Sequence, residues 1–317
     1  MTTARYMVQR GLYGLLLLLG VTLLSFLLMV RFGPDKTWEL LGKNPTAEQV
    51  AEVRSTLGYD RPFLLRYAEF LGDLATFDLG LSDSSGEPVA RLIGRTLPVT
   101  LALVLPGFVL GNLLGVALGL LAAWRRGDWL DRLITGASVA GMSVSFLVII
   151  IALQILLCTP YGLNWFPARG WRVDSLGDYL YYAAVPTLAL VLVTLGYNTR
   201  VYRAVRLEEL RREHILTVRA FGGGALDILG RHVLRNSLVP VITRVVFSVP
   251  LVVVSGSLLL ETYFGIPGIG RATYDAITSG DQPVLLAVVS LTAVMFVLAQ
   301  LAADLLYRLA DPRTAAS

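Results

Sequence analysis

The chain has 317 residues, of which 55% are hydrophobic and 16% charged, with a net charge of +4 and a mean hydropathy of +0.65. A soluble domain is about 45–50% apolar and about 25% charged; here the apolar excess comes in uninterrupted blocks, which excludes an ordinary soluble domain and points to the membrane. One cysteine, Cys158, and two histidines, His214 and His232, exclude an intrachain disulfide and a cysteine-based metal cluster and leave too few ligands for a dedicated transition-metal site.

The first block, GLYGLLLLLGVTLLSFLLMV (Gly11–Val30), is long enough to cross a hydrocarbon core of about 30 Å. It ends in Arg31-Phe32-Gly33-Pro34 and not in a small-residue cleavage site, so it reads as an uncleaved first span. The segment after it carries helix signals. In NPTAEQVAEVRSTLG, Thr46 stands as N-cap with Gln49 three residues on, and Gly58 stands where a C-terminal cap belongs. RPFLLRYAEFLGDL predicts a second amphipathic helix beginning near Pro62. Two readings stay open for this segment: a small cap packed on the spans, or a surface for an external partner.

Five further blocks predict spans near Leu97–Ala123, Leu133–Leu157, Tyr181–Tyr197, Leu238–Leu260 and Val284–Leu306. Backbone polar groups in lipid must be satisfied internally, so all six are expected to be helices. The fourth is expected to be the shortest and most interrupted, by Pro186, Gly196 and Asn198. Gly107, Gly111, Gly115 and Gly119 recur at every fourth position of the second span, a stripe suited to close helix packing. Trp124, Trp129, Trp165 and Trp171 lie near predicted span ends, as interfacial anchors do.

Loop charge sets an expected orientation. With the N-terminus inside, the inner segments hold Arg5, Arg10, Arg125, Arg126, Arg132, Arg308 and Arg313, together with the arginines between Arg200 and Arg235. The short outer loops hold Arg169, Arg172 and Arg271, and long loops translocate largely regardless of charge. Both termini are therefore expected in the cytoplasm.

The central loop, RREHILTVRAFGGGALDILGRHVLRNSLVP (Arg211–Pro240), is basic and glycine-rich. It is not a phosphate-binding P-loop, which needs G-x-x-x-x-G-K-[ST]. The two lysines are Lys36, with no glycine before it, and Lys43, which follows Gly42 but is succeeded by Asn44 and has Thr37 where the first glycine belongs. Any ATP that drives the protein must bind another subunit. Nucleic-acid binding is disfavoured, because Glu208, Glu209, Glu213 and Asp227 interleave the arginines and stacking aromatics are nearly absent. Tyr202–Phe221 contains no Gly or Pro and predicts a helix, aided by Glu208 and Arg212 at i,i+4. Gly222-Gly223-Gly224 then breaks it, and Ala225–Asn236 predicts a second helical run.

TVRAFGGGALDILGRHVLRNSLVPVIT resembles the cytoplasmic signature loop of binding-protein-dependent ABC transporter permeases, in the dipeptide, oligopeptide and nickel subfamily, first-permease (B-type) subunit. Thr217, Arg219, Ala220, Gly222, His232, Leu234, Arg235, Asn236, Leu238, Pro240 and Val241 fit that family's pattern, while Phe221 replaces a usual lysine and Gly223-Gly224 a usual Leu-polar pair. Other stretches resemble the same family in order: TAEQVAEVRSTLGYDRPFLLRYAEFL, TLPVTLALVLPGFVLGNLLGVALGLLAAWRRGDWLDR, LLLETYFGIPGIGRATYDAITSGDQPV and ADLLYRLADPR. One departure is FGPDK after the first span, where the family runs near P-G-D-P.

The resemblance implies an all-α, six-span permease of the type I ABC importer fold with a small helical extracytoplasmic insertion. It divides the chain into a first span to residue 30, an insertion over 31–96, a five-helix core over 97–308 with a coupling loop near 200–237, and a cytoplasmic tail over 309–317. It implies a bacterial inner-membrane location, a second homologous permease subunit, two ATPase subunits that bind ATP and Mg, and an extracytoplasmic solute-binding protein; this chain itself would bind no cofactor and do no covalent chemistry. The loop, with Thr217, Arg219, Ala220, Phe221, Gly222, Gly223, Gly224, His232, Arg235 and Asn236, would dock on an ATPase. Peptides are the commonest substrates of the family, with nickel chelates, metallophores and glutathione as alternatives.

Polar groups within spans are costly in lipid and are candidates for a translocation path or gate: Asn112, Gln154, Asn198, Ser255, Ser257 and Glu261. For Glu261 the alternative is local capping or pairing, with Arg271 as partner. A passive channel and an intramembrane enzyme are the rival classes; the second is disfavoured because no histidine falls in a span and Asp304 lacks a partner aspartate in the sequence there.

Overall fold

The structure is a computed structural model that describes residues 3–33, 35, 37, 41, 45–56 and 58–310. Lys36, Lys43 and the tail from Asp311, Arg313 included, lie outside the described residues. Among the described residues the fold is helical, with one isolated antiparallel bridge, Leu81 to Pro88. The helices are α1 (Thr3–Phe32), α2 (Ala47–Thr56), α3 (Phe63–Thr76), α4 (Val89–Trp124), α5 (Trp129–Ser143), α6 (Phe146–Cys158), α7 (Leu176–Glu209), α8 (Glu213–Ala220), α9 (Ala225–Asp227), α10 (Leu238–Leu251), α11 (Ser257–Phe264), α12 (Ile269–Ser279) and α13 (Gln282–Ala310). Five stretches are long and apolar enough to cross a membrane: Gln9–Phe32, Val89–Trp124, Leu176–Glu209, Leu238–Phe264 and Gln282–Tyr307.

The third predicted span is not one straight helix. The stretch expected as one helix, Leu133–Leu157, is two helices, α5 and α6, meeting at a bend of 98°. Val144 and Ser145 are extended there, with ψ of 130° and 140°. Serines favour such breaks because their side chains compete for backbone groups; Ser143 bonds the Val139 carbonyl at 2.9 Å.

The fourth span also departs from expectation. It is α7, a single helix of 34 residues that runs through Pro186, Gly196 and Asn198. At 1.5 Å per residue it is about 51 Å long and exceeds a hydrocarbon core of ~30 Å. Its supposed breakers are contact points. A Cβ at Gly196 would lie 3.0 Å from the Ser138 carbonyl oxygen, so glycine lets α5 approach. The Asn198 amide is satisfied by another side chain and leaves the backbone helical. In the fifth span, Pro250 removes one backbone donor, and the next residues, Val252–Gly256, widen into a π turn before α11.

The chain divides into two compact units, one made of residues up to Arg95 with Ala272–Val297, the other of Thr96–Arg271 with the chain from Leu298. In the first, α3 packs on α1 through Phe26, whose ring centroid lies 5.6, 5.7 and 5.3 Å from those of Phe63, Tyr67 and Phe70. Such ring pairs each add about 0.5–1.5 kcal/mol beyond their burial. Tyr67 Oη donates to the Leu19 carbonyl at 2.9 Å. The Thr46–Gln49 capping box forms: the Thr46 N–H reaches Gln49 Oε1 at 2.9 Å, and the Gln49 N–H reaches Thr46 Oγ1 at 3.3 Å. Gly58 ends α2 at φ +68°.

Asp281 is a buried anionic anchor of this unit. The Asp281 carboxylate accepts the hydroxyls of Ser82 and Ser84 at 2.5 and 2.9 Å and the Ser84 N–H at 3.1 Å, while its other oxygen takes the Val284 N–H at 3.3 Å in the first turn of α13. Burial pushes this carboxyl up, but the serine hydrogen bonds outweigh it and hold the group below its ordinary value.

In the second unit, α4 lies along α7. A Cβ at Gly107 would lie 3.1 Å from the Thr187 carbonyl oxygen, at Gly115 2.8 Å from Asn198 Cβ, and at Gly119 3.0 Å from the Arg203 nitrogen; at Gly111 it would collide with Thr194. The glycine stripe is therefore the contact face that the sequence predicted. Arg203 ties α7 to α5 by a two-pronged ion pair, Nε to Asp131 Oδ1 at 2.6 Å and Nη2 to Oδ2 at 2.8 Å. The turn between α4 and α5 joins in, because the Gly127 N–H donates to Asp131 Oδ2 at 3.0 Å.

Candidate functional site

The predicted loop helix over Tyr202–Phe221 is two helices. The chain turns at Leu210–Arg212, where the Arg212 N–H bonds the Glu209 carbonyl at 3.1 Å, and α8 follows. Arg212 pairs with Glu209 at 2.9 Å, one residue nearer than the expected Glu208 partner, because the turn brings its side chain back over the end of α7. The second predicted run, Ala225–Asn236, is the single turn α9 continued as a π segment, Ile228–Leu234.

These pieces enclose their own small core. Ile215, Ile228 and Val233 are buried together, flanked by Leu210, Val218 and by Leu120 and Trp124 from the end of α4. An α-helical loop with a private apolar cluster behaves as a semi-rigid element and not as a tether.

The end of α8 shows why glycine is needed at one of the three positions. Gly222 has φ +81°, and its N–H bonds the Arg219 carbonyl at 3.0 Å while the Gly223 N–H bonds the Val218 carbonyl at 2.9 Å. This pair of bonds is a Schellman cap, whose left-handed residue is normally glycine. The cap turns the chain sharply and leaves Ala220, Phe221, Gly222 and Gly224 exposed at the tip, with Phe221 88% accessible.

The other loop residues lie elsewhere. Asn236 Nδ2 donates to Glu209 Oε1 at 2.9 Å and lies 3.2 Å from His214 Nε2. The His232 ring lies 6.2 Å from that of His214, tilted by 46°, and approaches Asp227 at 3.9 Å. These groups hold the two arms of the loop together. Thr217 bonds back to the Glu213 carbonyl at 3.1 Å, Arg219 lies 5.8 Å over the Trp124 ring, and Arg235 is exposed. Sequence reading took Glu209 only as one of the acidic residues among the arginines, but it is 4% accessible and joins Asn236, Arg212 and His214.

The candidate path residues do not form one lining. Asn112 and Asn198 meet inside the α4–α7 contact: Asn112 Oδ1 accepts Asn198 Nδ2 at 3.0 Å and Tyr202 Oη at 2.8 Å, and Asn112 Nδ2 donates to the Phe108 carbonyl at 2.8 Å. Gln154 bonds the Ala168 carbonyl at 2.6 Å and reaches that of Tyr263 at 3.4 Å. Ser257 is buried and bonds the Val253 carbonyl at 2.5 Å, and Ser255 is exposed in the π turn.

Glu261 is wholly buried. Its Oε1 accepts the Thr100 hydroxyl at 2.6 Å and its Oε2 the Arg271 backbone N–H at 2.9 Å, while Thr100 Oγ1 accepts the Ile269 N–H at 2.8 Å. The carboxylate thus caps the N-terminus of α12, where a negative charge is favoured. The contact to Arg271 is through its backbone; the Arg271 guanidinium reaches the Gly265 carbonyl at 3.2 Å. The glycines of FGIPGIG serve this arrangement: Gly265 takes φ +67°, a Cβ at Gly268 would overlap the Glu261 carboxylate, and one at Gly270 would collide with Ser257.

The comparisons with known proteins accord with this architecture. The family described as "Binding-protein-dependent transport system inner membrane component" matches residues 115–316, and the one described as "Binding-prot-dependent transport system membrane comp, N-term" matches residues 3–104. A putative peptide transport system permease protein of Brucella abortus (strain 2308) is 34% identical over 301 residues, covering 93% of this chain and 94% of that one. The dipeptide transport system permease protein of Lactococcus lactis subsp. cremoris (strain MG1363) is 33% identical over 313 residues, 98% of each chain. The oligopeptide transport system permease protein of Bacillus subtilis (strain 168) is 31% identical over 318 residues, 98% of this chain and 99% of that one. With a family match over most of its length, five apolar spans and a bent helix pair that makes a sixth if it crosses as one, and a folded helical loop before the span Leu238–Phe264, the chain belongs to the inner-membrane components of binding-protein-dependent transport systems, the multi-pass permease subunits of ABC importers.

Proposed function

We propose that the chain forms half of a translocation pathway for peptides or related small solutes, with its N- and C-termini and its central loop in the cytoplasm. Relatives named for peptide, dipeptide and oligopeptide transport support the substrate class. The arginine distribution supports the orientation. A second permease subunit completes the pathway, two ATPases bind ATP and Mg, and an extracytoplasmic binding protein delivers the solute to the outer side, where the segment over 31–96 offers α2 and α3.

The observation that carries the reading is the loop tip. Ala220, Phe221, Gly222 and Gly224 are exposed on a helical element with its own core, braced on Trp124 at the end of α4. Motion of an ATPase gripping that tip is passed to α4 and α7 as a lever and not absorbed in a flexible loop. Phe221 is the anchor that would enter a partner groove, since buried aromatics dominate the energetics of protein contacts. Asn112, Asn198 and Tyr202 hold α4 and α7 together and so transmit the movement; Glu261 shapes the outer end of the fifth span as the cap of α12.

The test uses the chain expressed with its partner subunits in whole cells, after replacing Cys158. A membrane-impermeant thiol reagent labels Tyr161→Cys, a position 95% accessible, and leaves Gly224→Cys unlabelled until the cells are opened. Phe221→Ala retains insertion but loses ATPase in pull-down and loses peptide uptake. Labelling of Gly224→Cys in intact cells, or uptake at the parental rate by Phe221→Ala, overturns the reading.

A further inference from the structure

Beside the docking loop lies a pocket of about 500 Å³ lined by Trp124, Arg126, Leu207, Leu210, Arg211 and Arg219, with Ala123. Several carboxylates of this region pair with cations outside the pocket: Glu209 with Arg212 and His214, Asp128 with Arg125, Asp131 with Arg203, and Asp227 with Arg231. Three arginines thus face one pocket without an ion-pair partner among the described residues.

A fourth cation, Arg206, lies on the same α4–α7 contact, next in sequence to the pocket-lining Leu207. Ala123, in the pocket wall, stands one helical turn after Gly119, and a Cβ at Gly119 would lie 3.0 Å from Arg206 Nη1. Arg206 is fully buried, and its Nε, Nη1 and Nη2 have no hydrogen-bond acceptor among the described residues. The ring of Tyr202 faces the guanidinium at 5.7 Å. A buried cation without a counter-charge is strongly unfavourable, and a nearby anion would relieve it. The site is therefore built for an anion.

Its level in the membrane says which kind. The apolar run of α4 ends at Trp124 and is followed by Arg125 and Arg126. A tryptophan and arginines at the end of a span mark the headgroup layer. Leu207, Leu210 and Trp124 supply an apolar side beside the basic one. Basic pockets of this kind between span ends accept the phosphate of acidic lipids. We propose that the pocket binds the phosphate of an anionic phospholipid headgroup, which neutralises Arg126, Arg211 and Arg219 and compensates Arg206. The leaflet, the cytoplasmic one, follows from the orientation proposed above; the binding itself does not depend on it.

The experiment is native mass spectrometry of the complete purified transporter titrated with phosphatidylglycerol, with phosphatidylcholine, and with inorganic phosphate. Phosphatidylglycerol is expected to bind in preference to phosphatidylcholine. Arg126→Gln and Arg211→Gln each weaken it about fivefold, and the pair about 25-fold, from the usual effect of one basic side chain near an anionic surface. Arg126→Lys and Arg211→Lys retain most of the affinity. The single variants are read beside the pair, so that a folding failure of the pair leaves a fivefold loss to be measured. Equal retention of phosphatidylcholine, or unchanged affinity in the Gln variants, overturns the proposal. Full displacement of phosphatidylglycerol by millimolar inorganic phosphate reassigns the site to a soluble anion and also overturns it. Loss of ATPase association with lipid binding intact places the arginines in the protein interface and has the same consequence. Loss of lipid binding with ATPase association intact supports it and leaves the docking function untouched.

Discussion

Asn236 and Glu209, 27 positions apart, are joined by a hydrogen bond of 2.9 Å that closes the neck of the central loop. Glu209 ends α7 and Asn236 follows the π segment, so this bond, with His214 and Arg212 around the same carboxylate, ties the start of the loop to its end.

Asn236→Ala leaves one oxygen of a nearly buried carboxylate short of a donor, a change that costs about 1–3 kcal/mol. The chain is expected to insert normally, while amide exchange over residues 213–236 accelerates and the peptide-stimulated ATPase rate of the assembled transporter falls. Unchanged exchange in the loop would show that the neck bond is not what holds it.

Gly222→Ala and Ala220→Trp separate backbone strain from docking. Gly222 has φ +81° and open space around its Cα, so alanine there meets no neighbour but costs about 1–2 kcal/mol for the left-handed backbone. Ala220 is exposed at the end of α8, so tryptophan there leaves the chain folded and obstructs only a partner. Ala220→Trp is expected to keep its thermal midpoint and lose ATPase pull-down and uptake; Gly222→Ala loses stability first. An Ala220→Trp transporter that works at the parental rate would remove the tip from the docking surface.

Gly115→Leu tests the seam between α4 and α7. A Cβ at Gly115 would already lie 2.8 Å from Asn198 Cβ, so the larger side chain must push the helices apart and break the Asn112–Asn198 bond. Overpacking alone costs about 1–3 kcal/mol. The melting temperature of the purified chain drops, whereas Gly136→Leu, with open space around it on α5, leaves it unchanged.

Asp281 gives a pH prediction. Its folded pKa lies below the ordinary value of 3.8, because the Ser82 and Ser84 hydrogen bonds outweigh burial. The sign follows from linkage: a depressed carboxyl stabilises the fold above the unfolded value and loses that contribution as pH falls through the folded value. Asp281→Asn is therefore less thermostable than the parent at pH 7, and the gap narrows as the buffer is taken down through pH 4 to pH 3. A gap that stays constant over that range would show that the carboxylate's charge is not what anchors Ser82 and Ser84.

The membrane class, the spans, the glycine stripe and the loop's capping glycine were legible in the sequence, because each rests on a local rule: the length of an apolar run, a period of four, or the left-handed backbone that ends α8 at Gly222. What escaped were contacts between residues far apart in the chain. Pro186 and Gly196 look like breaks, yet α7 runs through them, because packing on α4 and α5 stabilises helix more than the local residues disfavour it. Leu133–Leu157 looks like one span and bends by 98°, a choice made by packing around two serines that read equally well either way. Glu209 and Arg203 look like loop charge in the sequence, yet the fold brings each a partner, at 2.9 and 2.6 Å, and it brings Glu261 the Thr100 hydroxyl at 2.6 Å. A charge in a sequence states only that it needs a partner or water, and the tertiary structure decides which it receives.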